Sequence, residues 1–572
     1  MQQERGLGPA GLAERLLDLK ARSGRSYEQI ARKTYLSKSN IHRVCAGRAL
    51  PADFGAVEQI AHACGATRAE LAVLYRLWEA ETAARPAATP LDPVTDEVED
   101  HADQTDATIW SSNAPPPDPA GARGSSPSRR PRRVLSAAVG ATLIGLLLAV
   151  LVPAPGREGS AVPEQWISGP TWQLAEAPVE PTFFGVTIQS PTGSMPTFRV
   201  GAARLWDGGT RWQQIQPRRG VFDWTTMDRL VDGARRAGLP VMFVAGGTPG
   251  WASPAGRKSV YSDESRATPP DDLADWDAYI TAIATRYRGK LESYELWVLG
   301  NDPRFFSGSV ETLVDMTRRA SRIIRKLDPH ATLVCPGMGL LWTPQGQQIM
   351  KRFAELDGYS FCDVAGIKLY QRTASDPPET MLELTALVDR LFHEAGTHPP
   401  LWSTGTTYDV TLQERLPEDT ARNYIVRFYL TGVIARQANL DRMYFYNWGG
   451  VKIPLVLQAD GGAPTRAALA LEQLQRWLTG ARSRSCGQGV PAGLPLHGWM
   501  CSFTFDGGRR KVDIVWTDRG TAMVKARPGV QRVHHLDGTV RTTRVAEDVP
   551  IGETPVMVEY AAEPAPTDAR GT

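Results

Sequence analysis

Tyr294-Glu295-Leu296-Trp297 is a short strand-like run; a helical stretch at 309–327 follows it, and then a second run, Thr332-Leu333-Val334-Cys335. Strand, helix and strand in that order make a parallel crossover unit. The alternation extends both ways. Upstream lie Phe184–Ile188, Ala202–Leu205 and Val241–Ala245; downstream lie Val364–Leu369, Leu401–Ser403 and Met443–Asn447. Helical stretches at 225–238, 271–288, 378–395 and 418–437 fall between them. Eight such repeats over 180–480 predict a (β/α)8 TIM barrel, whose site belongs at the C-terminal ends of the strands.

On the C-terminal side, short strands alternate with turns at Asp506-Gly507-Gly508, Asp518-Arg519-Gly520 and Asp537-Gly538. Residues 481–562 therefore read as an accessory β-sandwich, and 563–572 as a disordered tail. On the N-terminal side, Val134 to Val152 is a run of 19 residues without a charge. That is long enough to cross a bilayer as a helix. Arg129, Arg130, Arg132 and Arg133 precede it, so the positive-inside rule keeps the N-terminus in the cytoplasm and puts the barrel outside. A signal peptide would start at the N-terminus, not after 133 residues. The expectation is a single-pass protein of the cell membrane.

The chain has 64 basic and 62 acidic residues, a balance that excludes a uniformly basic nucleic-acid coat. The charges are segregated. Residues 21–50 carry seven Lys/Arg against one Glu, whereas 82–122 carry eight Asp/Glu against one Arg. Nine prolines in 82–132 make 82–133 a disordered acidic linker rather than a core-forming segment.

Residues 1–81 read as short amphipathic helices. The stretch from Ser26 to Gly47, with Ile30-Ala31, the turn at Leu36-Ser37, and Ile41 and Val44, resembles the Cro/repressor (XRE) type of helix-turn-helix. The resemblance covers about seventy residues and implies a second helix that enters the major groove. Lys38, Ser39, Asn40 and Arg43 would read bases, beside Ser37 at the cap. Gln29, Arg32 and Arg48 would lie nearer phosphates. A helical protein-interaction bundle is the alternative; the local charge of +6 favours DNA.

In the barrel, Trp212, Ile215-Gln-Pro-Arg-Arg-Gly220, Asp223-Trp224 and Asp228 resemble retaining glycosidases of clan A, as does Thr248-Pro-Gly-Trp-Ala-Ser253. The nearest likeness is the β-xylosidase-like glycoside hydrolase family thirty-nine, over about 290 residues. It implies two carboxyl groups roughly 5–5.5 Å apart, after strands four and seven. The fourth-strand motif would read Trp-Asn-Glu-Pro. Here Trp297-Val298-Leu299 puts a leucine at the acid/base position. The seventh would read Thr-Glu; Thr404-Gly405 puts a glycine at the nucleophile position. Neither can do the chemistry. Asp302 and Asp409 lie three and four residues beyond and are the substitutes to consider, with Glu295 deeper in its strand. Arg204, Asn301, Lys368, Tyr370, Tyr408 and Trp448 would form a carbohydrate cleft. For Lys368, a lysine snorkelling from the rim is an equal reading.

Cys45 and Cys64 fall in the head and should be free. Cys335 with Cys362, and Cys486 with Cys501, are the candidate disulfides outside. No CxxC or Cys/His zinc spacing occurs, so neither metal nor cofactor is expected. These readings combine into a membrane-tethered DNA-binding regulator whose outer pseudo-glycosidase senses a glycan or cell-wall fragment and signals through a homodimer or, alternatively, by proteolytic release of the head. A tethered glycosidase with displaced carboxylates and a chromosome-to-envelope anchor are the alternatives.

Overall fold

The computed structural model describes residues 11–34, 36, 38–51, 54–84, 171–174, 176–525, 528–543 and 547–561. The run 134–152, the linker from 85 onward and the tail 563–572 lie outside the described residues. Among the described residues no helix is long and apolar enough to cross a membrane.

The head has five helices: α1 (Leu12–Ser23), α2 (Tyr27–Thr34), α3 (Lys38–Cys45), α4 (Gly55–Ala63) and α5 (Arg68–Ala83). Their apolar faces converge on one core that includes Leu16, Ile30, Ile41, Val57, Ile60 and Leu74. Thr67 caps α5 reciprocally with Glu70, satisfying two backbone donors at once. Gly47 closes α3 in the left-handed conformation, at φ 65°.

Eight parallel strands follow: β1 (Phe184–Ile188), β2 (Ala202–Leu205), β3 (Val241–Val244), β4 (Ser293–Glu295), β5 (Thr332–Val334), β6 (Ala365–Ile367), β7 (Leu401–Ser403) and β8 (Leu440–Trp448). They pair in the order β5-β4-β3-β2-β1-β8-β7-β6. Two isolated parallel bridges, Val334–Val364 and Met338–Ile367, join β5 to β6 and close the ring. The strands are buried on both faces, which is why they read as continuous apolar runs. Around them lie α6 (Thr225–Arg236), α7 (Leu273–Arg286), α8 (Val310–Leu327), α9 (Pro344–Glu355), α10 (Met381–Glu394), α11 (Glu418–Ile434) and α12 (Arg466–Trp477). Helix α8 buries Leu313, Met316, Ala320 and Ile324 at helical spacing, and Ser309 caps it by accepting from the Thr312 N–H at 3.1 Å.

The expected sandwich is lopsided. One antiparallel sheet has seven strands: Arg482–Gln488, Gly498–Phe505, Arg510–Thr517, Val530–His534, Val540–Thr542, Val556–Tyr560, and Thr171–Gln173 from ahead of the barrel. A two-stranded ribbon, Ala522–Val524 with Val549–Ile551, packs against one face through Val515, Val533, Val549 and Ile551.

Disulfides join Cys335 to Cys362 and Cys486 to Cys501. Cys45 and Cys64 are free and buried, and burial pushes the Cys45 thiol up to about 11. The structure also sets the head against α10. Glu58 Oε2 lies 3.1 Å from His393 Nε2, and Arg68 Nη1 lies 3.0 Å from Asp357 Oδ1. That contact requires head and barrel to share one compartment.

Candidate functional site at the barrel mouth and the helix-turn-helix face

Inside the barrel, Glu295 at the end of β4 is wholly buried. One oxygen accepts from Arg204 Nε on β2 at 2.7 Å. The other accepts from Lys368 Nζ and from Thr404 Oγ1, each at 2.9 Å. Lys368 Nζ also donates to the Thr404 carbonyl at 2.9 Å. Residues from β2, β4 and the end of β6 thus share one layer, as alternate barrel strands do. Lys368 is neither a rim lysine nor a free ligand contact, because three acceptors surround its ammonium. Burial and Arg204 lower its pKa to about 7, against the pull of Glu295. Glu295 has both oxygens engaged and no surface, which removes it as a catalytic substitute.

Above this layer is the mouth, a cavity of about 30 Å³ lined by Trp206, Tyr261, Leu299, Phe305, Tyr408 and Tyr446, with Arg204 at its base. By the usual measure it holds about two waters and not a sugar ring. Leu299, the residue at the expected acid/base position, is part of its lining. Gly405 has φ 120°, a conformation that side-chain-bearing residues rarely adopt, so a glutamate there would need a rebuilt loop as well.

The two substitute carboxylates are tied to one arginine. Arg304 Nη2 donates to Asp302 Oδ2 at 2.7 Å and to Asp409 Oδ2 at 2.8 Å, while Nη1 reaches Asp409 Oδ1 at 2.6 Å. Arg304 Nε adds bonds to both oxygens of the fully buried Asp302. The guanidinium holds the Asp409 carboxyl below the usual range. A general acid needs the opposite shift.

Other residues expected in the cleft are placed differently. Asn301 is buried, accepting from the Gly339 N–H at 2.7 Å and donating to the Gly346 carbonyl at 3.0 Å, so it pegs two loops together. Trp448 is buried and donates to Gln458 Oε1 at 2.9 Å; it does not line the mouth. Tyr370 lines a neighbouring apolar cavity. Arg204, Lys368 and Tyr408 do line the mouth, and Arg204 Nη2 is buried without a hydrogen-bond partner. Sequence reasoning missed Trp206, Asp207 and Tyr446, although each sits at a strand end, the position that marks a barrel site. Nothing in the sequence pointed to Tyr261, which comes from the long loop after β3.

In the head, Lys38, Asn40 and Arg43 are exposed along α3, with Arg32 and Arg48 nearby. Ile41 and Val44 turn inward. Tyr27 meets His42 edge-on at 5.2 Å, which fixes α2 against α3. Gln29 is a capping residue first: its Oε1 accepts from the Ser26 N–H at 2.8 Å, and its own N–H returns to Ser26 Oγ. Ser37 and the side chain of Ser39 fall outside the described residues.

One grouping with metal-ligand chemistry was not foreseen, since its members are far apart in sequence. Glu58, His393 and His398 bring ligand atoms within 4.8 Å of one another at the head-to-barrel contact. Burial pushes the Glu58 carboxyl up, but hydrogen bonds from His393, His398 and His62 outweigh it and hold it well below the carboxylate range. In the structure the three groups are paired as ions, with Asp389 facing both histidines.

The helix-turn-helix domain family matches residues 11–74. No curated protein matches the chain. Several solved structures are similar. A family 39 glycoside hydrolase from Bacteroides cellulosilyticus WH2 is 15% identical over 67% of this chain and 81% of its own, with a TM-score of 0.49. A monomeric β-xylosidase from Caulobacter crescentus CB15 is 13% identical over 68% and 98%, with a TM-score of 0.47. A glucosidase from Croceicoccus marinus is 13% identical over 68% and 98%, with a TM-score of 0.46. On its own pairing, the chain joins a helix-turn-helix DNA-binding domain to a closed parallel barrel.

Proposed function

We propose that this chain is a membrane-tethered transcriptional regulator whose outer barrel binds a carbohydrate without hydrolysing it. The observation that carries the second half is the arginine shared by Asp302 and Asp409. Two retaining-enzyme carboxylates must stay free to donate a proton and to attack carbon. Here the expected positions hold Leu299 and Gly405, and the nearest replacements are spent on Arg304. Ligand binding is supported by Arg204, a buried cation with an unbonded Nη2 at the mouth, and by the partly exposed ring of Tyr408. A sugar ring needs more room than the mouth has, so its entry requires the mouth to widen.

Tethering rests on the chargeless run 134–152 with its preceding arginines. It is supported by the cysteines: disulfides persist in oxidising compartments, and both bridges lie on one side of the run while both free thiols lie on the other. A span at 134–152 excludes the Glu58–His393 contact within one molecule. The two disulfides, rare in a reducing cytoplasm, support the span over that contact.

The test is hydrolysis of a panel of aryl β-glycosides by the purified chain. No turnover above background is expected. Turnover that disappears in Asp302→Asn or Asp409→Asn would make the protein a tethered glycosidase instead.

A further inference from the structure

Beside the mouth lies a second cavity of about 70 Å³, set between the ends of β6, β7 and β8 and helix α11. Tyr370, Phe428, Phe445, Tyr446, Ile453 and Leu455 form its walls. The hydroxyls of the four lining tyrosines, Tyr370, Tyr424, Tyr444 and Tyr446, each have a hydrogen-bond partner of their own. Tyr446 Oη donates to Asp207 at 2.6 Å, and Tyr370 is hydrogen-bonded with Thr407. Phe428 and Phe445 meet edge to face at 5.5 Å, presenting ring surface inward. Among its polar lining residues, Thr406, which also borders the mouth, has a buried hydroxyl oxygen without a hydrogen-bond partner.

Gly405 belongs to this cavity. A carboxylate there would charge an apolar wall. The glycine leaves it neutral and open, since a Cβ would meet nothing nearer than Tyr446 Cβ at 3.8 Å. Water is a poor occupant. A buried water needs two to four polar partners, and the lining is mostly apolar. An apolar group regains the dispersion contacts that an empty cavity forfeits.

We propose that this cavity binds one aromatic ring, or a ring-sized uncharged group, bearing a single oxygen that bonds to Thr406. The site goes beyond the carbohydrate reading and does not require it. A free phenol and the aglycone of a glycoside share this chemistry.

The test titrates the full chain with p-cresol by calorimetry, and with xylose and 4-methylphenyl β-xyloside in parallel. Saturable one-site binding of p-cresol is expected. It should be lost in Ala374→Phe and in Ile453→Trp, which fill the cavity from different walls, and weakened several-fold in Thr406→Val. Melting curves identify any filling variant that has not folded, and Thr406→Val keeps the test open if both fail. A xyloside that binds more tightly than p-cresol and is lost in the same variants identifies an aglycone; equal binding identifies a free ring. Non-saturable p-cresol uptake, or uptake unchanged in all three variants, overturns the proposal. Xylose binding alone would overturn it while leaving the carbohydrate reading intact.

Discussion

Glu295 has no surface and three side-chain partners, Arg204, Lys368 and Thr404, so its charge is compensated rather than available. Removing one member of such a buried cluster leaves the others uncompensated, at a cost of about 3–5 kcal/mol. Glu295→Gln should lower stability by that order in urea unfolding. Lys368 adds a pH signature. Its folded pKa is about 7, against roughly 10.4 in the unfolded chain, so between those values the unfolded state binds more protons. Through this group stability rises with pH across that window and is lost as pH falls through 7. The destabilisation by Lys368→Met should therefore be larger at about pH 9.5 than at about pH 6.5. Equal values would show a lysine charged throughout. None of this was legible in the sequence. The partners of Glu295 come from β2 and from the ends of β6 and β7, and only closure of the ring brings them together.

Elements were more legible than residues. Strands β1, β2 and β7 match their sequence ranges because strands buried on both faces leave an unbroken apolar run. Helix α9 was missed: Pro344 at its first position and three glutamines in its first half obscure the apolar face carried by Met350 and Phe353. The stretch 378–395 resolves into a 3₁₀ turn, Pro378–Thr380, leading into α10. In the head, core spacing fixed α2 and α3, and their outward face follows from it. Lys38 and Arg43 are exposed on α3, at its start and in its last turn. Lys38→Ala with Arg43→Ala should abolish the retarded band in a gel shift. If both touch phosphate, the salt dependence of residual binding should shallow by about 2 in log–log slope. Unchanged retardation would exclude α3 as the reader.

At the scale of the whole molecule, two observations pull apart. The head packs on α10 through Glu58, His393 and Arg68, whereas the sequence places a bilayer-length run between head and barrel. Both cannot hold in one chain. Compartment chemistry favours the run, since disulfides and free thiols fall on opposite sides of it. The prediction concerns two single-cysteine additions. Arg68 is partly exposed and Asp357 largely so, although they face each other across the contact. On intact cells, a membrane-impermeant maleimide should label Asp357→Cys and spare Arg68→Cys until the cells are lysed. Native thiols interfere little, since Cys45 and Cys64 are buried with raised pKa values and the other four cysteines are bridged. A short bismaleimide should not join the two positions in the double variant. If neither position is labelled before lysis and the crosslink then forms, the span is wrong. The barrel would then share the compartment of its DNA-binding head, with the Glu58–His393–His398 cluster as a contact between them.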